Sequence, residues 1–230
     1  MSEERSRWES VAHEMSERLG GRRVELGRHV SYWFENSPRH ALYSLSYYKF
    51  AAKLIGGAKR VLDVGCGEGL GTWLLANECG YARGMDLDQN AIGVARRNWD
   101  DERIDFGCAD FLAQDPGTWD AITNFDVIEH ILPEHSEAFL SRIAGGLAHD
   151  GIAVIGTPSL EGQRYASEIS RAGHINVYDG ERLQNEMRRH FGHVFMFAAN
   201  DELVHTGFLP MAHYLLAVGC RPGAGTVGAA

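Results

Sequence analysis

At 230 residues the chain is about one and a half typical domains long, so one core with an added cap fits better than two independent folds. Hydrophobic residues make up 44% and charged residues 23%, which excludes a disordered chain, a collagen and a disulfide scaffold. The formal charge of −9 supplies no basic field for a nucleic acid backbone or an acidic membrane, so neither is an expected partner.

In chain order, the first thirty residues are charged and lack the apolar run of a secretion signal. No stretch as long as about 18 apolar residues occurs anywhere, so no membrane span is read and the expected location is cytoplasmic. Residues 1–36 read as one or two amphipathic helices with Trp8, Tyr32, Trp33 and Phe34 as apolar anchors, a cap over the carboxyl edge of a sheet. Ser37 and Pro38 fit the N-cap and first turn of the next helix, on which Ala41, Leu45, Tyr48, Ala52 and Ile55 recur at helical spacing. Gly56 and Gly57 end it. Tyr43, Tyr47, Tyr48 and Phe50 give this helix an aromatic character that suits core packing or, alternatively, a cover over a ligand.

From Val61 short apolar runs alternate with helix-like stretches. VLDV, YARGMDLD, RIDFGCAD, WDAITNFD and GIAVIGTP read as strands. Helices follow at GLGTWLLANECG, at DQNAIGVARRNW with Asp88 as cap, and after Pro133 with Phe139, Leu140, Ile143 and Leu147 on one face. Such alternation predicts βαβ units and an α/β, doubly wound, mostly parallel sheet, here of seven strands with an antiparallel edge. Asp179 caps a last helix carrying Leu183, Met187 and Phe191 and stopped by Gly192. HVFMFAA and MAHYLLAVGC then form an antiparallel pair at the edge, and residues 221–230 read as a tail. The main domain is thus 37–220. Cys66, Cys79, Cys108 and Cys220 lie far apart without paired spacing, which points to free thiols rather than disulfides or a zinc site.

The chemistry concentrates in VLDVGCGEGLG, where a strand exits into a turn containing Gly65, Gly67 and Gly69 before a helix begins. Glycine lets a ligand approach the backbone, and the carboxyl end of a strand is where open α/β sheets bind ligands. The dinucleotide pattern GxGxxG fails at Leu70, and no Lys-Ser or Lys-Thr follows to make a phosphate loop. Asp63 stands in an otherwise apolar strand just before the glycines, Asp86 ends the second strand, and Asp110 with Phe111 ends the third. Acids around such a loop repel pyrophosphate and suit a nucleoside carrying an ammonium and a sulfonium. Asp86 suits two ribose hydroxyls, with helix capping as the competing role, although Asp88 already fills it. Asp110 suits an adenine amine or serves as a plain loop acid.

VLDVGCGEG, GMDLD, CADF and NFDVIEHI, in this order and spacing, resemble the successive motifs of class I S-adenosylmethionine-dependent methyltransferases across roughly residues 45–220. The resemblance implies S-adenosylmethionine as methyl donor and a small-molecule acceptor. It also implies a cofactor site in which Asp63, Gly65, Cys66, Gly67 and Gly69 hold the methionine part and Asp86 the ribose. Leu87 would pack on adenine, Asp110 would take its amine beside Phe111, and Asn124, Phe125 and Asp126 would line the methionine side. Candidate catalytic groups are Glu129 and His130 after the fourth strand and His174 after the fifth, since a hydroxyl acceptor needs a base and histidine titrates near neutrality. Both histidines also fit a loop-anchoring role. DVIEH resembles ubiquinone-type O-methyltransferases, in which a D/E-x-x-E-H run can hold a divalent metal; Asp126, Glu129 and His130 have that spacing, and no metal is assigned. GHINVYDGERL resembles the corresponding region of bacterial enzymes acting on small molecules or sugars. The expected reaction is therefore methyl transfer to a hydroxyl of a sugar, glycolipid or secondary metabolite. The alternatives are N-methylation, a nucleotide-binding protein without turnover, and a nicotinamide-dependent oxidoreductase.

Overall fold

The computed structural model describes residues 3–223. Three helices come first: α1 (Glu3–Leu19), α2 (Arg28–Asn36) and α3 (Pro38–Leu54). The alternating region follows as β1 (Arg60–Val64), α4 (Leu70–Ala76), β2 (Tyr81–Asp86), α5 (Gln89–Asn98), β3 (Ile104–Cys108), β4 (Trp119–Phe125), α6 (Ser136–Gly145) and β5 (Leu147–Pro158). The chain ends in α7 (Glu168–Gly173), α8 (Gly180–Arg188), β6 (Phe191–Ala199), β7 (Val204–His205) and β8 (Tyr214–Pro222). The strands form one sheet in the order β3-β2-β1-β4-β5-β8-β6-β7. The first five are parallel, and β8 runs antiparallel between β5 and β6.

The expected doubly wound architecture is present with one strand more than the seven read from sequence. The extra strand, β7, is only two residues long and pairs antiparallel with Ala198 and Ala199 at the outer edge. It lies in the stretch between the two edge strands, where two residues leave no periodicity to read. Three boundaries also move. Leu147, expected on the helix face with Phe139, Leu140 and Ile143, opens β5 and pairs with Trp119 instead. Phe191 begins β6 rather than continuing α8, because its spacing from Leu183 and Met187 is helical although its backbone already pairs with Pro222. Arg221 and Pro222 belong to β8 and not to a tail, while residues 224–230 lie outside the described residues.

The core lies on both faces of the sheet. Leu62, Ile122, Ala153 and Ile155 pack against Phe139, Leu140 and Ile143 of α6 and Leu183 and Met187 of α8. On the other face Val61, Ala121 and Val154 meet Tyr47, Ala51 and Ile55 of α3 and Leu75 of α4. β1 and β4 are almost wholly buried, as near-continuous apolar strands of a parallel sheet must be. α1 behaves otherwise. Trp8 is 68% exposed and none of the described residues of its helix is buried, so it is no anchor; Tyr32 and Phe34 of α2 are exposed as well. In this segment Val30 is buried, and Trp33 is half-buried against His40 with ring centroids 4.6 Å apart. All four cysteines are free, and no helix among the described residues is long and apolar enough to cross a membrane.

Candidate active site

The turn after β1 is built from three left-handed glycines: φ is 78° at Gly65, 52° at Gly67 and 80° at Gly69. A Cβ on Gly65 would run into Val127 and one on Gly69 into Phe106 and Ala95, whereas Gly67 faces open space. The backbone therefore closes tightly on the protein side and stays bare on the other. Asp63 lies beneath the loop, fully buried. Its carboxylate accepts from Thr72 Oγ1 at 2.7 Å and Thr123 Oγ1 at 2.8 Å, with the Tyr48 hydroxyl 3.4 Å away. Burial pushes its pKa up to about 6, against the pull of these hydroxyls. Both oxygens are thus spent on holding β1, α4 and β4 together, and Asp63 acts on the loop from below. Cys66 is buried too, its thiol facing the Gly67 carbonyl.

Asp86 sits half-buried at the tip of β2. Its carboxylate accepts Gly67 N–H at 2.8 Å and Asp88 N–H at 2.8 Å. Four lone pairs leave it capacity for ligand hydroxyls beyond these two bonds. Asp88 caps α5 by accepting from Asn90 and Ala91 N–H, so capping does not account for Asp86. Leu87, beside it, is 71% exposed. Asp110 is exposed and accepts Leu112 N–H at 2.8 Å, the bond of a loop acid that keeps lone pairs to spare. Phe111 departs from expectation: it is 6% exposed and packs edge-on against Phe139 in the core, away from any open face.

At the tip of β4, Asn124 donates to the Val64 carbonyl at 2.9 Å and clamps β4 to β1, and Phe125 packs between Tyr47 and Tyr48. Asp126 takes a left-handed φ of 56°, uncommon for a residue with a side chain. It is held there by the Tyr47 hydroxyl, which donates to Oδ2, and by its own N–H to the Gly156 carbonyl at 3.1 Å. Its Oδ1 has no partner among the described residues, nor has the buried Tyr214 hydroxyl. Tyr214 stacks on Tyr47 with centroids 4.6 Å apart. The aromatic helix is therefore core, with two hydroxyls aimed at the acids of β1 and β4.

A 3₁₀ turn, Ile128–His130, follows. Glu129 is fully buried, accepting from Thr157 Oγ1 at 2.9 Å while Oε1 is left unpartnered. Burial first, and then the charge of Asp126, raise its pKa well above the usual carboxylate range. His130 is about half exposed, with Nδ1 2.8 Å from the Gly173 carbonyl and Nε2 4.0 Å from Glu129 Oε1. His174 follows α7, its Nδ1 3.1 Å from Gln163 Oε1 and its ring 5.2 Å from that of His130. Burial and the neighbouring His130 lower its pKa, so it is neutral at physiological pH. The three expected catalytic groups converge: one carboxylate oxygen and one ring nitrogen from each histidine lie within 4.8 Å of one another. Asp126, which shares the sequence run, is not in that group.

The convergence depends on residues the sequence reading did not single out. Asn176 N–H donates to the Glu129 carbonyl at 3.0 Å, while its side chain reaches Ser136 Oγ at 2.8 Å and the Tyr178 hydroxyl at 3.1 Å. The run HINVY is thus a brace beneath the 3₁₀ turn, and its alternating polar residues were the available signal. At the other end of the site the N-terminal segment leans on the glycine loop, with His29 N–H donating to Glu68 Oε1 at 2.9 Å and Glu25 N–H to Asn98 Oδ1 at 2.9 Å.

Comparison with known proteins agrees with this geometry. A family model described as a methyltransferase domain matches residues 36–192. A ubiquinone biosynthesis O-methyltransferase of Aromatoleum aromaticum is 36% identical over 78 residues, 32% of this chain and 33% of that protein. A probable S-adenosylmethionine-dependent methyltransferase of Mycolicibacterium smegmatis is 30% identical over 129 residues, 56% of this chain and 46% of that protein. The chain thus spans half or less of these relatives' length. Among solved structures, the N-methyltransferase NodS from Bradyrhizobium japonicum, in complex with S-adenosylhomocysteine, superposes with a TM-score of 0.62 at 19% identity, covering 91% of this chain and 97% of that one. With a methyltransferase domain matched over residues 36–192, more than half of its length, the chain belongs to the class I S-adenosylmethionine-dependent methyltransferase family.

Proposed function

We propose that the chain transfers the methyl group of S-adenosylmethionine to a hydroxyl oxygen of a small molecule of the sugar, glycolipid or secondary-metabolite class. The observation that carries this reading is the meeting of Glu129, His130 and His174 within 4.8 Å at the carboxyl edge of the sheet, where the turn after β4 adjoins the strand that ends in the bare glycine loop. Alignment of donor and acceptor supplies most of the acceleration of an in-line displacement, on the order of 7–11 kcal/mol. An oxygen acceptor needs in addition a group that takes its proton, worth typically about 10²–10⁴-fold. The His130 side chain is half exposed and its Nε2 serves as that acceptor, while His174, neutral and fixed by Gln163, orients the hydroxyl. Bond formation between that oxygen and the methyl carbon expels S-adenosylhomocysteine, and the proton goes to the imidazole.

In this reading the Gly65–Gly69 loop and the Asn124–Asp126 tip embrace the methionine part, Asp86 takes the ribose hydroxyls, Leu87 lies on adenine and Asp110 accepts its amine. Residues 1–36 act as the cap, through the contacts of Glu25 and His29 near the loop. The relatives named as ubiquinone biosynthesis O-methyltransferases support oxygen as the acceptor atom. N-methylation is the second reading, favoured by the likeness to NodS across nearly the whole chain. Labelled methyl donor offered to a panel of phenols, sugars and amines tests the choice. Label is expected on hydroxyl acceptors, with His130→Ala lowering kcat by at least ~10²-fold. Label on amines alone, with His130→Ala fully active, refutes the oxygen assignment.

A further inference from the structure

α3 runs antiparallel to the strands, since residues 55–59 alone connect its end at Leu54 to the amino end of β1. Its N-terminal half therefore lies at the carboxyl edge, where the Tyr47 hydroxyl donates to Asp126. His40, Ser44 and Tyr47 stand at i, i+4 and i+7 and share one face of the helix. Ser44 and Tyr47 are buried, their hydroxyl oxygens 2.9 Å apart. At about 1.5 Å of rise per residue, His40 stands about 10 Å beyond Tyr47, outside the tip of β4 and over the strand ends. Burial first, then His130 and lastly His40 lower the pKa of His174, so the charge of His40 is felt across this edge. Trp33 of α2 closes on His40 with ring centroids 4.6 Å and planes 46° apart, both side chains half-buried. The other end of α2 is held by the glycine loop. Glu68, buried there, accepts His29 N–H at 2.9 Å and caps a helix whose own N-cap residue, Gly27, has no side chain to do so. A Cβ on Gly27 would strike Glu68 Cγ, so the two segments meet without a gap.

We propose that Trp33 and His40 form a further wall of the acceptor site, opposite His130 and His174, and that this wall selects acceptors whose hydroxyl is borne on a ring. The inference rests on the acceptor placement proposed above and adds two specificity-determining residues to it. α2 is pinned at Glu68 and continues through Ser37 into α3, so the indole and imidazole are fixed at both ends rather than free to swing. Such a pair is a broad, stiff face that loses little rotamer freedom when a ligand covers it. Across from it, the His130 and His174 rings stand 5.2 Å apart. A ring entering between the two pairs covers a face of each and is held with its hydroxyl against His130 Nε2, the alignment on which an in-line transfer depends. An open-chain alcohol covers less of both walls and gives up its own torsional freedom on binding. A phenol and the apolar face of a pyranose share the chemistry this wall recognises.

Labelled methyl donor offered with phenols, methyl pyranosides and open-chain alcohols such as glycerol and hexanol tests the selection. Label is expected on ring acceptors, phenols or pyranosides showing which source is used, and at most weakly on open chains. Trp33→Leu and His40→Gln are expected to lower kcat/KM for the ring acceptor at least ~10-fold and to narrow its lead over open-chain alcohols, with S-adenosylhomocysteine affinity unchanged. Equal losses for ring and open-chain acceptors, the mark of a merely structural role, overturn the proposal, as does a wild type that prefers open chains. The placement is tested without donor or acceptor by proton NMR. The His174 C2–H resonance, assigned by its loss in His174→Gln, is expected to move in His40→Gln; a resonance that stays in place overturns the wall. A wild type that labels no hydroxyl acceptor contradicts the functional reading, and a moved resonance in the same protein still upholds the wall.

Discussion

Asp63 lies fully buried in β1 with each oxygen accepting from a threonine hydroxyl, yet its pKa stands at about 6 rather than the usual 3.8. Removal from water disfavours the charged form more than the hydroxyls favour it. The folded chain therefore holds this proton more tightly than the unfolded chain. The resulting stabilisation is full below pH 3.8 and is lost as pH rises through about 6, a swing of about 3 kcal/mol. Asp63→Asn removes the titration. Its stability relative to wild type, measured by urea unfolding, is expected to rise by about 2–3 kcal/mol between pH 4 and 7; a difference that stays flat over that range contradicts the assignment. The position of Asp63 in an apolar run was legible in the sequence, but its direction was not. Periodicity marks the residue as inward, and only the tertiary partners Thr72, Thr123 and Tyr48 reveal that it supports the loop from beneath. Phe111 is the matching case on β3, where an aromatic after an acid reads equally as ligand wall or as core.

Among the elements, β2 and α5 divide two acids between two tasks. Asp88 caps α5 by its side chain, so Asp88→Ala is expected to destabilise the fold by about 1 kcal/mol. Its affinity for S-adenosylhomocysteine should be unchanged; an affinity loss as large as that of Asp86→Ala would place Asp88 in the ligand site. The parallel strands and the glycine turn were readable because buried strands are continuous apolar runs and left-handed turns demand glycine. The turn after β4, which carries two of the candidate catalytic groups, was harder. Glu129 and His130 sit on three residues of 3₁₀ helix, too short for any period, and their approach to His174 rests on hydrogen bonds across some 45 residues of sequence, from Asn176 to Glu129 and from His130 to Gly173. Such pairings leave no local pattern. The end of α8 was misread for the opposite reason, since Phe191 continues a helical spacing that the backbone has already left.

For the whole molecule, the sheet presents every candidate group along one carboxyl edge, and the N-terminal region contributes unevenly. None of the described side chains of α1 is buried, whereas Val30 is in the core and His29 binds the glycine-loop residue Glu68. Deleting residues 1–20 is expected to shift Tm by less than about 2 °C, and deleting 1–36 to lower it by more than that and to weaken cofactor binding. Equal effects from both deletions, followed by thermal melts, contradict the division. Everything above depends on the bare loop and the acid at the tip of β2 receiving a sulfonium nucleoside. Calorimetric titration of the full chain with S-adenosylhomocysteine, beside Asp86→Ala, measures this most directly. The account predicts one site per chain in the micromolar range and at least ~10-fold weaker binding in the variant. No heat at millimolar nucleoside, with NADH binding instead, contradicts it.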